Sequence, residues 1–165
     1  MDHDRLIAIL SGHRSFAGID AQTWQHFLEA AAVVSFNPGE VIYDRKAETS
    51  AGYLLVQGRL EIIDEPYPER RLCTQIFSAG SLFCEGGFIK EWPARRRCTA
   101  IESSTAIKMS SENFTQIVEN ANTVALRIID RLLDNFVQEV ELANQRLDEI
   151  YGRPDRTLRR LLSTN

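Results

Sequence analysis

The sequence has no apolar run that approaches the roughly 20 residues needed to span a bilayer. Its first ten residues, MDHDRLIAIL, begin acidic, and their apolar part is too short and too interrupted for a secretory signal peptide. We therefore expect a cytoplasmic protein that does not enter membranes.

Cysteine is scarce. The 165 residues contain only Cys73, Cys84 and Cys98, and no C-x-x-C spacing occurs. An odd number of widely spaced cysteines argues against a disulfide scaffold and against a zinc ribbon. The three histidines are not at metal-ligand spacing from acids or thiols, so we expect no metal site.

Neither sign of charge dominates. The formal net charge is -4, with 25% charged and 44% hydrophobic residues. This is the balance of a globular protein, and nucleic-acid binding by this chain is not expected. The motifs G-x-S-x-G, Walker A and H-E-x-x-H are absent, so we predict no enzyme activity.

The pattern of apolar residues predicts three regions. Residues 4–31 have helical periodicity, and Asp20 is a plausible N-cap of a second helix. From residue 32 to residue 109, short β-rich runs alternate with turn signals, which indicates an antiparallel sandwich or barrel. Gly39, Gly58 and Gly80 stand between such runs, where turns with positive φ favour glycine.

Glycine and proline are both missing from residues 123–151, which predicts one long helix that ends at Gly152 and Pro154. Ser110 is a plausible N-cap of a shorter helix before it. Apolar residues of the long helix recur at intervals of three and four, which predicts a parallel dimer seam. The alternative is a helix buried in its own core. The seam residues are Ala125, Ile129, Leu132, Phe136, Val140, Ala143, Leu147 and Ile150.

Three segments carry a resemblance to a known family. They are NPGEVIYDRKAETSAGYLLVQGRLEI (37–62), SAGSLFCEGGF (78–88) and CTAIESSTAIKMSSENF (98–114). Together they resemble the cyclic-nucleotide-binding domain of the catabolite activator/FNR superfamily. The resemblance implies an α+β, mainly β fold: a double-stranded β-helix (jelly roll) with N-terminal helices and a long C-terminal helix. It divides the chain into a β-roll with short flanking helices (1–122), a dimerisation helix (123–151) and a further helix or tail (152–165).

The resemblance also implies a phosphate-binding cassette that begins near Glu85. In the family, a glutamate there binds the ribose 2′-hydroxyl, and an arginine about ten residues later neutralises the phosphate. Counting from Glu85 gives Arg95, whereas alignment on Pro93 places Ala94 at the arginine position. The chain also has Cys84 where the family has glycine. The candidate ligand-binding residues are Glu85, Gly86, Gly87, Arg95, Arg96 and Arg97.

The function implied is a regulatory module that binds a cyclic nucleotide (cAMP or cGMP) or a related anion and signals to an effector protein. Glu139, Val140 and Asn144 on the long helix are candidate contacts for the base. A degenerate domain that serves as a dimerisation or docking scaffold is the alternative. Another is the N-terminal part of a Crp/Fnr-type transcription regulator, because residues 152–165 are too short for a helix-turn-helix.

Overall fold

The computed structural model describes residues 2–67, 70–94 and 96–151. Four α-helices and two short 3-10 helices occur in this part of the chain. The helices are α1 (His3–Ser11), α2 (Ala21–Glu29), α3 (Ser111–Glu119) and α4 (Thr123–Tyr151), with 3-10 turns at Arg14–Phe16 and Glu85–Phe88. We call the second 3-10 turn, Glu85–Phe88, the cassette helix.

Ten strands form antiparallel sheets between α2 and α3. They are β1 (Ala32–Phe36), β2 (Val41–Tyr43), β3 (Glu48–Thr49), β4 (Ala51–Gln57), β5 (Leu60–Tyr67), β6 (Arg70–Phe77), β7 (Leu82–Phe83), β8 (Trp92–Pro93), β9 (Arg97–Ala100) and β10 (Ser104–Ser110). One sheet has the order β1-β10-β4-β7, the second has the order β2-β9-β5-β6, and β3 pairs with β8. This arrangement confirms the prediction of a mainly β, antiparallel fold.

The predicted caps hold two helices at their starts. A carboxylate oxygen of Asp20 accepts a hydrogen bond from the Thr23 N–H at 2.9 Å, and the Ser110 hydroxyl accepts one from the Asn113 N–H at 3.2 Å. Each cap satisfies a backbone donor that has no partner within its own helix. The predicted helical region 4–31 is interrupted after α1, where Arg14–Phe16 forms a 3-10 turn.

The core of the β-roll lies between the two larger sheets. Its fully buried members include Leu55, Leu60, Phe83, Cys98 and Ala106. Strand alternation brings these side chains inward, because successive residues of a strand point to opposite faces. The positive φ values predicted for Gly39, Gly58 and Gly80 are confirmed at 84°, 95° and 82°.

Helix α4 begins at Thr123, as predicted, and runs to Tyr151, the last described residue. The predicted stop at Gly152 and Pro154 and the predicted helix or tail of residues 152–165 lie outside the described residues. The first turns of α4 belong to the β-roll unit. The chain divides into two compact units, Met1–Ile128 and Ile129–Asn165. Val124, Ala125 and Ile128 are buried. The prediction that the dimer seam starts at Ala125 is therefore wrong, because this residue is part of its own unit's core. Among the described residues, no helix is long and apolar enough to cross a membrane.

Candidate ligand-binding site

The cassette helix follows β7 and begins at Glu85, which is half-buried. The residue before it, Cys84, has the left-handed backbone conformation, with φ 53° and ψ 44°. A residue with a Cβ atom adopts this conformation at a cost of about 1–2 kcal/mol, so glycine would be favoured here. Cys84 therefore holds, at this cost, a backbone conformation that glycine, the residue the resemblance implies here, would adopt without strain.

Two residues of β4, Ala51 and Gly52, pack against the cassette helix and fix its position. A Cβ atom added at Gly87 would lie 2.1 Å from the Ala51 carbonyl oxygen, so only glycine fits. Gly87 is buried, and the Ala51 backbone occupies the space that a side chain at this position would need. The Phe88 ring lies against Gly52, where an added Cβ would come within 2.1 Å of it.

Phe88 also joins the cassette helix to α3. Its ring centroid is 4.8 Å from that of Phe114, and both side chains are buried. Aromatic pairs at this separation contribute about 0.5–1.5 kcal/mol beyond their area burial. A displacement of the cassette helix would therefore change the packing of Phe88 on Phe114 and shift α3.

The Cys84 thiol and the Tyr43 phenol lie near Glu85, and the Cys98 thiol lies near both of them. Tyr43 is opposite Cys98 in the β2–β9 register, and their hydroxyl and thiol share a hydrogen bond. Burial raises the pKa of Tyr43, with further contributions from Cys98, Cys84 and the carboxylate of Glu85. Burial also raises the pKa of Cys98 to about 12. Each group is therefore neutral at pH 7.

Cys84 is held through its backbone, because its carbonyl accepts a hydrogen bond from the Gly87 N–H at 2.9 Å. Burial raises the pKa of its thiol, while a hydrogen bond with the Thr49 side chain and the nearby Gly87 N–H act in the opposite direction. Cys73, Cys84 and Cys98 are all free thiols. Among the described residues, no three His, Cys, Asp or Glu side chains come together as a metal site would require.

An aromatic wall lines the same part of the roll. Tyr53 and Phe83 are stacked, with ring centroids 4.8 Å apart and an interplanar angle of 16°. Phe77 lies 6.0 Å from Phe83. Tyr53 and Phe77 pack against the core cluster but are only half-buried, so part of each side chain remains exposed. A planar, apolar group would be complementary to such a wall.

At the arginine end of the predicted cassette, Arg97 is bound by an acidic side chain of the same chain. Strand β9 begins at Arg97, and Cys98 and Ala100 point into the core cluster. The Arg97 guanidinium points the other way and binds Asp44 through two hydrogen bonds of 3.0 Å, Nε to Oδ1 and Nη2 to Oδ2. The hydrogen bonds from Arg97, together with one from the Arg45 N–H, lower the pKa of Asp44. Arg97 is therefore engaged by an acid of its own chain.

Ala94 is buried at the position that alignment on Pro93 assigns to the phosphate-binding arginine. Its N–H donates to the Ala47 carbonyl at 2.9 Å, and its carbonyl accepts from the Lys46 N–H at 2.7 Å. Arg95, which counting from Glu85 selects, lies outside the described residues. Arg96 is described and exposed. An arginine contact to a phosphate therefore stays a prediction.

Sequence reasoning did not find Tyr43, Thr49 or Asp44. Nothing in the spacing of the β-rich runs indicates that Tyr43 lies beside Cys84 and Cys98, which follow it by 41 and 55 positions. The predicted base contacts Glu139, Val140 and Asn144 are exposed on α4. No contact to a ligand tests them, so they also stay predictions.

Comparison with known sequences identifies the family. The profile described as "Cyclic nucleotide-binding domain" matches residues 33–121, which is more than half of the chain. This chain belongs to that family. The matched segment contains both sheets, the cassette helix and α3. A search of curated proteins finds no match.

Solved structures of cyclic nucleotide-binding domains and related regulators share the fold. The catabolite activator protein of Thermus thermophilus superposes with a TM-score of 0.69 at 16% identity, covering 81% of this chain and 62% of that one. The sensor domain of the transcriptional regulator DNR from Pseudomonas aeruginosa gives 0.63 at 18% identity, covering 84% and 93%. A cyclic nucleotide-binding domain from Methylobacillus flagellatus gives 0.68 at 13% identity, covering 87% and 81%. These likenesses establish the jelly-roll fold with its long C-terminal helix.

Proposed function

We propose that the chain is a regulatory ligand-sensing domain and not an enzyme. It binds a cyclic nucleotide or a related phosphate anion at the cassette helix, and it associates as a homodimer through α4. The observation that carries this proposal is the position of Glu85: it opens a short helix, half-buried, within the segment that matches the family. The regulators among the related structures support a regulatory role.

The chemistry of the site suits a nucleotide. A carboxylate such as that of Glu85 only accepts hydrogen bonds, so it pairs with the hydroxyl donor of a sugar. The half-buried rings of Tyr53 and Phe77 offer an apolar surface to a base. The phosphate would be neutralised by Arg95 or Arg96, since Arg97 is bound to Asp44. The fork of a guanidinium fits two phosphate oxygens.

The ligand state would reach α4 through a short series of contacts. Phe88, at the end of the cassette helix, packs on Phe114 of α3. The chain then passes to Asn122, whose amide oxygen accepts from the Val124 N–H at 2.9 Å and so begins α4. The amide nitrogen of Asn122 also donates to the Thr23 carbonyl at 3.0 Å. Movement of Phe88 therefore acts on the element that precedes α4.

Titration calorimetry with cyclic AMP and cyclic GMP tests the ligand. We expect heat with at least one of them, and we expect Glu85→Gln to weaken binding by at least about tenfold, because a hydrogen bond to a charged group contributes about 1.5–3 kcal/mol. Arg95→Ala and Arg96→Gln identify the guanidinium that binds the phosphate. Glu91→Gln is the matched control, since Glu91 is exposed outside the cassette helix. No heat and no thermal shift at millimolar nucleotide would reject the nucleotide.

The dimer is proposed from the apolar surface of α4. Phe136, Val140, Leu147 and Ile150 are 66%, 51%, 48% and 49% exposed. Each such side chain gains about 1.5–3 kcal/mol when it is buried, and a contiguous patch of this kind rarely stays in water. With Ala125 assigned to the core, the proposed seam consists of Ile129, Leu132, Phe136, Val140, Ala143, Leu147 and Ile150.

Sedimentation velocity tests the dimer. The wild-type chain should sediment as a dimer at tens of micromolar, and Phe136→Asp should dissociate it. Gln145→Asp introduces the same charge at an exposed residue outside the seam and should leave the dimer intact. A wild-type monomer at that concentration would rule out the seam.

A scaffold without a ligand is the second candidate, and it has its own support. Ala94 is buried with both of its backbone polar groups bonded, and Arg97 is held by Asp44. The alignment on Pro93 thus places no cation at residue 94, and the charge of Arg97 is already paired with Asp44, so neither residue would neutralise a phosphate. The two experiments separate the candidates: a scaffold dimerises through α4 but gives no heat with nucleotide, and Arg95→Ala then changes nothing.

A further inference from the structure

One row of side chains crosses the sheet β1-β10-β4-β7 on the side that faces the core. Lys108 of β10 lies directly opposite Tyr53 of β4, and Tyr53 lies opposite Phe83 of β7. In the next row of the same strands, Ala106 lies opposite Leu55, and both belong to the core cluster. Residues two apart in a strand point to the same face, so Lys108 also lies on the core-facing side.

This row passes from the core to the solvent. Phe83 is buried, Tyr53 is half-buried and Lys108 is exposed. The Lys108 Nζ atom lies 6.0 Å from the centroid of the Tyr53 ring, at the limit of a cation–π contact. Among the described residues, no acidic side chain forms an ion pair with Lys108. A positive charge therefore stands at the rim of the core, next to the aromatic wall.

The same row leads to the cassette helix. Cys84 and Glu85 follow Phe83 directly in the chain. Burial raises the pKa of Tyr53, and the nearby thiols of Cys84 and Cys98 raise it further. The Tyr53 phenol thus lies near the residue that precedes the cassette helix, and β10 also contacts this helix. One region of the roll therefore contains an exposed ammonium group, a stacked aromatic pair and the candidate carboxylate.

We propose that Lys108 is a specificity-determining residue of this site. Its ammonium group binds an anionic group of a ligand whose planar ring lies against Tyr53. A cation beside an apolar ring surface is complementary to a molecule that carries both a flat ring and a negative charge, and a cyclic nucleotide carries both. The inference rests on the proposed function, and it adds to that function a residue that neither the cassette helix nor the arginine run contains.

The arginine end of the cassette explains why a second source of positive charge matters. Ala94 carries no charge, and Arg97 is already bound to Asp44. Lys108 is on a different strand from both, and its side chain is flexible. A lysine presents three donors at the end of four methylene groups, so it can follow an anion that a fixed guanidinium does not reach.

Titration calorimetry with cyclic AMP and cyclic GMP provides the test, with the nucleotide that the wild type binds more tightly. Lys108→Gln should weaken binding about three- to fivefold, the effect of losing one partly exposed ion pair. Lys108→Arg keeps the charge and should bind within about twofold of the wild type. Arg5→Gln removes the same charge from an exposed position on α1 and should also stay within about twofold. The difference between the wild type and Lys108→Gln should narrow as salt rises from about 0.05 M to about 0.5 M.

The results distinguish this inference from the proposed function. If the wild type binds neither nucleotide, the proposed function is rejected and the role of Lys108 with it. If the wild type binds and Lys108→Gln stays within about twofold of it, only the role of Lys108 is overturned. The same holds if Lys108→Arg loses as much affinity as Lys108→Gln, because the charge is then not the cause. Melting temperatures equal to that of the wild type are expected for all three variants, since both substituted side chains are exposed.

Discussion

Residues 84–88 at the start of the predicted cassette and the residues Ala94 and Arg97 at its end are held by different kinds of interaction. The first is fixed by core packing, with Gly87 against Ala51 and Phe88 between β4 and Phe114. The second is fixed by backbone hydrogen bonds to an exposed turn and by a surface ion pair with Asp44. Packing constrains shape strongly, whereas surface polar contacts constrain it weakly. We therefore expect substitutions at residues 84–88 to cost more stability than substitutions of the charged residues Asp44 and Arg97.

Phe88→Ala should have the largest effect. It removes a fully buried ring, which typically costs about 3–5 kcal/mol of unfolding free energy. Ile89→Ala is the matched control, because the neighbouring Ile89 is 66% exposed and its truncation should cost little. Urea unfolding of both variants measures the difference. Equal effects would contradict the view that core packing fixes this end.

Gly87→Ala should have the next largest effect. The added methyl group meets the Ala51 backbone, which cannot rotate away as a flexible side chain could. We expect a loss of about 1–3 kcal/mol, the usual cost of overpacking. Gly12→Ala should be nearly neutral, because its nearest contact would be 3.4 Å away. Thermal and urea unfolding report both changes, and an unaffected Gly87→Ala would show that this end is loosely held.

The unfolding free energy should fall at alkaline pH, because the buried thiol of Cys98 resists ionisation in the folded state. The folded pKa of Cys98, about 12, exceeds its ordinary value of 9.0. The stability linked to the neutral thiol is therefore fully present below about pH 9 and is lost as the pH rises toward 12. The loss should be about 1.4 kcal/mol for each pH unit in that range. Urea unfolding between pH 8 and about pH 10 measures it, and Cys98→Ala should flatten the dependence. If the unfolding free energy of Cys98→Ala depends on pH as steeply as that of the wild type, a group other than Cys98 causes the loss.

Asp44→Asn should have the smallest effect. Because the folded pKa of Asp44 is lowered, its contribution is present above the ordinary carboxyl pKa and is lost as the pH falls through the lowered value. The melting temperature of Asp44→Asn should therefore lie slightly below that of the wild type at pH 7, and the two should converge in acid. Glu48→Gln, an exposed neighbour, controls for the loss of a negative charge. A large drop at pH 7 would mean that the arginine end depends on this ion pair.

Local signals in the sequence predicted most of the architecture. Helix α4 is continuous from Thr123 to Tyr151, as predicted, because this segment lacks glycine and proline. The caps at Asp20 and Ser110 act on donors only three residues away. The strands β3, β7 and β8 were not predicted. Each contains two residues, too few to show an alternating pattern, and each exists only because a partner strand is present.

The site was predictable in outline only. The position of Glu85 follows from a contiguous motif, whereas the role of Arg97 depends on Asp44, which lies 53 residues earlier. A bulge in the β2–β9 register, between Val41 and Tyr43, affects which side chains meet there. Such a register shift cannot be predicted from one sequence, because the pairing of strands that are distant in sequence depends on the packing of the whole domain.

The close approach of Phe88 to Gly52 has a consequence for evolutionary history. A side chain at position 52 would occupy the space of the Phe88 ring, so that glycine cannot be replaced while the phenylalanine remains. Replacement of Phe88 by a smaller residue must come first, and it breaks the link to Phe114. The order of acceptable substitutions is therefore fixed. Lineages that inherit this ring are expected to keep the glycine long after the ligand has changed.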